Sequence, residues 1–126
     1  MRAVDTNLLV RLIVRDNARQ VAAAESFVSA GAWVSHLVLA ELVWVLDAVH
    51  NLPPARIATA VEMLLMHATL TVQDADVVES ALARCKTRPA LGFSDCLVLE
   101  IARKAGHLPL GTFDRQLSSL PGAERL

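Results

Sequence analysis

Four carboxylates stand at positions where they could act together. Asp5 and Asp114 each follow a short β-like run, and Asp95 lies in the first turn of a predicted helix. Glu41 is the only polar residue in the apolar stretch 37–46. Oxygen donors without cysteine or regularly spaced histidine favour magnesium or manganese over zinc. The pattern therefore indicates a divalent-metal site formed by these acids.

Each acid also has a simpler, structural explanation. A carboxylate in so apolar a helix is expected to be buried, and Glu41 could form a buried ion pair with an arginine. Asp5 and Asp114 could be helix N-caps, and the helix dipole favours an acid where Asp95 lies. Together, however, acids that follow parallel strands meet at one edge of a sheet. There a divalent cation would relieve their repulsion, polarise a phosphate and activate water.

An RNA-binding surface would also need cations and aromatic side chains. Arg11 and Arg15 are four residues apart and are expected to share a helix face, and Arg115 directly follows Asp114. These arginines could contact phosphates. With no tyrosine, two tryptophans and three phenylalanines, mostly in apolar runs, the sequence predicts no base-stacking platform. A net charge of -1 argues mildly against general affinity for nucleic acid.

The elements that must position these residues alternate between short strands and helices, which is typical of an α/β fold with a parallel sheet. Within this pattern, residues 36–50 are predicted to form a long, largely buried helix, and residues 93–105 to form a later helix that ends at Gly106. The length of 126 residues predicts one domain, 1–126. A hydrophobic content of 54% predicts a large core or an apolar surface covered by a partner.

The location of the protein is predicted from what the sequence lacks. No apolar run is long enough to span a membrane, and the first residues carry no secretory signal. Cys85 and Cys96 show no metal-binding or redox spacing, so we expect free thiols in a reducing compartment. These features predict a cytoplasmic protein without membrane contact.

Four short motifs together resemble a known family. In chain order they are Val4-Asp5-Thr6-Asn7, Ala40-Glu41-Leu42, Phe93-Ser94-Asp95 and Thr112-Phe113-Asp114-Arg115. The set spans nearly the whole chain and resembles PIN-domain proteins, in particular the VapC-type toxins of bacterial toxin–antitoxin pairs. The resemblance implies an α/β/α sandwich whose central parallel sheet has strand order 3-2-1-4-5. It also implies an endoribonuclease that depends on Mg²⁺ or Mn²⁺.

The same resemblance assigns roles to individual residues and implies partners. Asp5, Glu41, Asp95 and Asp114 would be the metal ligands and catalytic residues. Thr6, Asn7 and Thr112 would hydrogen-bond a carboxylate, a metal-bound water or a phosphate. The implied partners are an RNA substrate, a second copy in a homodimer, and a cognate antitoxin whose tail blocks the active-site groove. The RNA target, the cleavage site and the number of metal ions stay open.

Three other interpretations are compatible with parts of the pattern. A catalytically silent binding module would keep the fold, although all four acids are present here. A DNA or structure-specific nuclease could use the same acids, but the chain is short for added threading elements. A phosphatase of the haloacid-dehalogenase type usually has a second acid two residues after its first aspartate, and here that position is Asn7.

Overall fold

The computed structural model describes residues 1–126 and divides them into two compact units, Met1–Ala75 and Asp76–Leu126. The elements of the first unit are β1 (Arg2–Ala3), α1 (Thr6–Val14), α2 (Ala18–Val28), β2 (Ala32–Val34), α3 (His36–Ala48), α4 (Pro54–Met66) and β3 (Leu70–Val72). The second unit contains α5 (Ala75–Thr87, which begins at the boundary), α6 (Phe93–Ala105), β4 (Leu110–Thr112), α7 (Arg115–Ser118) and β5 (Ala123–Arg125).

The first unit is built on a three-stranded parallel sheet in the order β1-β2-β3. Central strand β2 alternates in burial: Ala32 and Val34 are fully buried, and Trp33 between them is 37% exposed. This alternation follows from the two-residue period of a strand. Leu9 of α1 and Val61 of α4 are also fully buried, so the helices and the sheet share one apolar core.

Helix α3 differs from the prediction of a long, largely buried helix. Its buried residues are Leu39, Leu42 and Leu46, which recur at the spacing of one helix face. Leu37 is 71% exposed and Trp44 is 65% exposed. The prediction was wrong because α3 carries apolar residues on all of its faces, whereas only one face packs against the core.

The second unit contains a two-stranded parallel sheet in which Leu110 pairs with Ala123 and Thr112 with Arg125. Helix α6 provides much of its core through Cys96 and Leu99, both fully buried. The helix has the predicted bounds and ends at Gly106, whose φ of 82° is the left-handed conformation that glycine adopts without strain.

The two sheets contain the 3-2-1 and 4-5 parts of the predicted strand order. The pairing of β1 with β4, and with it the full order 3-2-1-4-5, stays a prediction, as does the single domain over residues 1–126. None of the helices combines the length and the apolar composition needed to cross a membrane.

Candidate active site

The first unit contains an acidic pair that a threonine connects. Asp5 follows β1 in an extended conformation and caps α1, because its Oδ1 accepts a hydrogen bond from the Leu8 N–H at 3.0 Å. The next residue, Thr6, donates its hydroxyl to Oε2 of Glu41 at 2.8 Å. This hydrogen bond joins the start of α1 to the middle of α3, so Asp5 and Glu41 lie near each other.

Glu41 is exposed, so the expectation of a buried carboxylate was wrong. It lies four residues after Leu37 and three before Trp44, on the helix face that the core leaves uncovered. The alternative of a buried ion pair with an arginine is excluded as well, because its partner is the Thr6 hydroxyl. An exposed carboxylate is accessible to a ligand from solvent.

The second unit contains the other two acids, at the beginnings of two helices. Asp114 follows β4 and caps α7, where its Oδ1 accepts from the Leu117 N–H at 2.8 Å. Its own backbone N–H donates to Oγ1 of Thr112 at 3.0 Å. Asp95 lies in the first turn of α6. Burial, with a further contribution from the Asp114 charge, raises the pKa of the Asp95 carboxyl above its ordinary value.

Ion pairing distinguishes these four acids from some, but not all, of the other acids in the chain. Asp5, Glu41, Asp95 and Asp114 form no ion pair. Four other acids do, each with an arginine or a lysine: Asp16, Glu25, Asp76 and Glu100. Protein cations therefore neutralise some acids and leave the four candidate acids uncompensated, as they also leave Asp47, Glu79 and Glu124.

The donors suit a divalent metal ion in kind, although no group of three or more His, Cys, Asp or Glu side chains is arranged to hold one. Carboxylate oxygens are the ligands that magnesium and manganese prefer. Asp5 and Asp114 each use one carboxylate oxygen for capping, which leaves the other for a ligand. A cation would also offset the repulsion between Asp95 and Asp114.

The arginines that were predicted to contact phosphate differ in their surroundings. Arg15 lies beyond the end of α1 with a left-handed φ of 57°. The expectation that it shares a helix face with Arg11 was therefore wrong. Arg11 pairs with Asp16 at 2.9 Å and Arg15 with Glu25 at 2.6 Å. Arg115 is exposed and its guanidinium has no ion pair, so it is the best placed of the three to meet a phosphate.

A groove between α1 and α2 lies beside the first acidic pair. Its volume is about 370 Å³, and its wall includes the polar side chains of Asn7, Arg11 and Gln20 and the ring of Phe27. The guanidinium of Arg2 covers that ring at 3.8 Å from its centroid. Asn7 thus lines an open groove and makes no hydrogen bond to a carboxylate.

Sequence reasoning missed two features of the second unit. Phe113 is 80% exposed between Thr112 and Asp114, although the sequence was expected to offer no side chain for base stacking. Its isolation between two polar residues is the signal that could have revealed it. Glu100 is 5% exposed and accepts hydrogen bonds from two arginines, which its position on α6 alone does not indicate.

Comparison with known proteins identifies the family. A model of the PIN domain matches residues 2–123, and the chain therefore belongs to the PIN domain family. The predicted α/β class and the resemblance to PIN-domain proteins are confirmed. No curated protein matches the chain. Among solved structures it is similar to Mycobacterium tuberculosis VapC20, a Sarcin-Ricin loop cleaving toxin, with 19% identity, 98% of each chain covered and a TM-score of 0.45.

Proposed function

We propose that this chain is a metal-dependent endoribonuclease and the toxin of a VapC-type toxin–antitoxin pair. Its metal ligands would be Asp5, Glu41, Asp95 and Asp114. The observation that carries the proposal is the coincidence of PIN family membership with four acids that have no ion pair and whose residues are all exposed. Exposed acids without a cationic partner are suited to binding a metal ion.

The chain's own residues would hold the ligands in position. The capping bonds of Asp5 and Asp114 fix the orientation of both carboxylates, and the Thr6 hydroxyl fixes Glu41. Arg115, next to Asp114, would bind a phosphate of the RNA. A bound Mg²⁺ or Mn²⁺ supplies a Lewis acid and a water of lowered pKa for hydrolysis of the phosphodiester.

The direct test is cleavage of a labelled, structured RNA in magnesium, in manganese and in EDTA. Asp5→Asn is the informative variant, because asparagine keeps the helix cap while removing the charge. Asp47→Asn, an exposed acid on α3, is the matched control. We expect metal-dependent cleavage by the wild type and the control, and none by Asp5→Asn.

The other outcomes distinguish the alternative functions. A folded wild type that binds RNA but cleaves none in any metal would support the silent binding module. Equal cleavage of DNA and RNA would support a general nuclease. Cleavage that persists in EDTA or in Asp5→Asn would refute the proposed metal chemistry.

Metal binding can be measured without cleavage, through its effect on stability. A ligand that binds only the folded state raises the free energy of unfolding by about 2.7 kcal/mol at one hundred times its Kd. We expect manganese to raise the Tm of the wild type, and to do so less in Asp5→Asn and in Asp95→Asn, which represent the two units. If one variant responds like the wild type, the residue replaced in it is not a ligand of the ion.

We also propose that the chain forms a homodimer through the exposed faces of α3 and α4. On α3, Trp44 is 65% exposed. On α4, Met63 is 64% exposed and Met66 is 84% exposed. An apolar surface of this kind is unusual in a monomer, and a second copy would bury the same residues on both sides.

The toxin assignment adds a protein partner and a location. We propose that a cognate antitoxin binds the chain and blocks cleavage, and that the protein acts on cellular RNA in the cytoplasm. The product of the neighbouring gene, added in equal amount to the cleavage assay, should stop the reaction. Continued cleavage in the presence of a stable complex would refute inhibition by that partner.

A further inference from the structure

One aromatic side chain next to a candidate ligand has no partner in the fold. Phe113 is 80% exposed, whereas Phe93 is 6% exposed and the ring of Phe27 is covered by Arg2. Single exposed apolar residues are common and by themselves indicate nothing. Phe113 differs from an ordinary surface residue in its neighbours and in the rigidity of its backbone.

Hydrogen bonds hold the chain on both sides of Phe113. Before it, the Thr112 carbonyl accepts from the Leu126 N–H at 3.0 Å, which extends the pairing of β4 with β5. After it, Asp114 is fixed by its N–H to Thr112 Oγ1 and by its carboxylate to the Leu117 N–H. A ring on so well-anchored a turn keeps its position when a ligand arrives, and little conformational entropy is lost on binding.

The residue that follows Phe113 is a candidate metal ligand, and the one after that is an arginine without an ion pair. Residues 113–115 therefore carry, in order, an exposed ring, an acid that would hold a metal ion beside a phosphate, and a cation. Successive Cα atoms are about 3.8 Å apart. A nucleotide whose phosphate met Asp114 or Arg115 would have its base within reach of the ring.

We propose that Phe113 stacks on an unpaired nucleobase of the RNA next to the phosphate that is cleaved. The inference rests on the proposed ribonuclease function and adds to it the form of the substrate. Bases inside an A-form helix are already stacked and cannot be reached, so the site selects loops and single strands. Stacking tolerates any base because every base has a π-face, and the preference is for unpaired structure rather than for sequence.

The test compares three replacements of the ring in cleavage of a single-stranded RNA. Phe113→Ala should raise KM about tenfold, within the range observed when a stacking side chain is removed, and should leave kcat within about twofold. Phe113→Trp should restore KM, and Phe113→Leu, which keeps bulk without a π-face, should not. Val98→Ala, a 50% exposed apolar residue on α6, is the control and should behave as the wild type.

An RNA with an abasic nucleotide beside the cleaved phosphate tests stacking directly. If Phe113 had only a structural role, removing the base would not change the affinity of the wild type in this way. The wild type should lose affinity for this RNA by the factor that Phe113→Ala loses on the intact RNA. Phe113→Ala should lose nothing more on the abasic RNA, because the contact is already gone. Additive losses would overturn the proposal, and so would full rescue by leucine.

Binding without cleavage separates this inference from the proposed function. In EDTA, the anisotropy of a labelled single-stranded RNA should report weaker binding by Phe113→Ala than by the wild type. If the wild type cleaves no RNA but shows this difference, the stacking contact stands and the nuclease function falls. If the variant binds and cleaves as the wild type does, the proposal is overturned and Phe113 is left for contact with a protein partner.

Discussion

At the scale of single residues, three of the four candidate acids are held by hydrogen bonds from neutral groups. Asp5 and Asp114 accept from backbone N–H groups, and Glu41 accepts from the Thr6 hydroxyl. Such bonds orient a carboxylate without neutralising it, whereas an arginine partner would compete with a metal ion. The same side chain can therefore cap a helix with one oxygen and bind a cation with the other.

Glu41→Gln should fold normally and lose metal-dependent cleavage. The amide oxygen of glutamine can still accept from Thr6, and the position is exposed, so the free energy of unfolding should change by less than about 0.5 kcal/mol. Urea unfolding and the cleavage assay should be run on the same preparation, with Asp47→Asn on the same helix as the control. A stable and fully active Glu41→Gln variant would remove Glu41 from the site.

The raised pKa of Asp95 predicts a pH dependence of stability in EDTA. Because the folded-state pKa lies above the ordinary 3.8, the folded protein keeps a proton that the unfolded chain has lost. The free energy of unfolding therefore falls as pH rises through this window. Relative to Asp95→Asn, the wild type should lose stability as the pH rises above about 4, and the loss should be small because solvent screens this exposed group.

The corresponding measurement is thermal unfolding of both proteins in EDTA across that pH range. Asp47→Asn should track the wild type. If the wild type instead gains stability over Asp95→Asn as pH rises, the pKa of Asp95 is not raised.

At the scale of elements, one buried carboxylate ties α6 to its surroundings. Glu100 accepts from Nε of Arg84 on α5 at 2.7 Å and from Nε of Arg103 at 3.3 Å. Arg103 also donates to the Pro121 carbonyl, in the segment before β5. Asp95 lies in the first turn of α6, so the network that anchors the helix also positions a candidate ligand.

Glu100→Ala should destabilise the protein by about 2–3 kcal/mol. Removing one partner of a buried ion pair leaves the other charges uncompensated, at a cost of about 3–5 kcal/mol. The expected loss for Glu100→Ala is smaller than this because the arginine side chains are 34% and 35% exposed, so water partly compensates their charges. Urea unfolding checks the value against Glu79→Ala, an exposed acid on α5. Equal stability of the two variants would show that the network contributes nothing.

At the scale of the whole molecule, charge and apolar surface indicate how partners are bound. A net charge of -1 provides no general attraction for RNA, so the proposed RNA binding would depend on the proposed metal ion and on local groups such as Arg115 and Phe113. The exposed apolar residues of α3 and α4 are better suited to a protein, and Glu41 lies among those of α3. The proposed second copy would cover Trp44 and the methionines of α4 and leave Glu41 open to RNA.

Trp44→Lys should convert the proposed dimer to a monomer. A lysine at the centre of an apolar interface must lose its hydration without gaining a partner, and in a symmetric dimer that cost is incurred twice. Sedimentation or light scattering measures the mass, and Ala22→Lys, which adds the same charge on the exposed surface of α2, is the control. A wild type that is monomeric at high concentration would refute the homodimer.

The sequence by itself determined which side chains are present for metal binding and which class of fold the chain adopts. The four acids and their order are read directly from the sequence. The α/β alternation was predictable because the hydrophobic period and the capping residues are local signals. Helix α6 was predicted with its bounds for this reason, and so was the capping potential of Asp5 and Asp114.

Only the tertiary structure decided which side chains are exposed and what they meet. Nothing near Glu41 in the chain shows which face of α3 is covered, because residues distant in sequence cover it. The partners of Arg11 and Arg15, the burial of Glu100 and the exposure of Phe113 depend on tertiary packing in the same way. Exposure is a property of the packed molecule, since a side chain is buried only by what the fold brings against it.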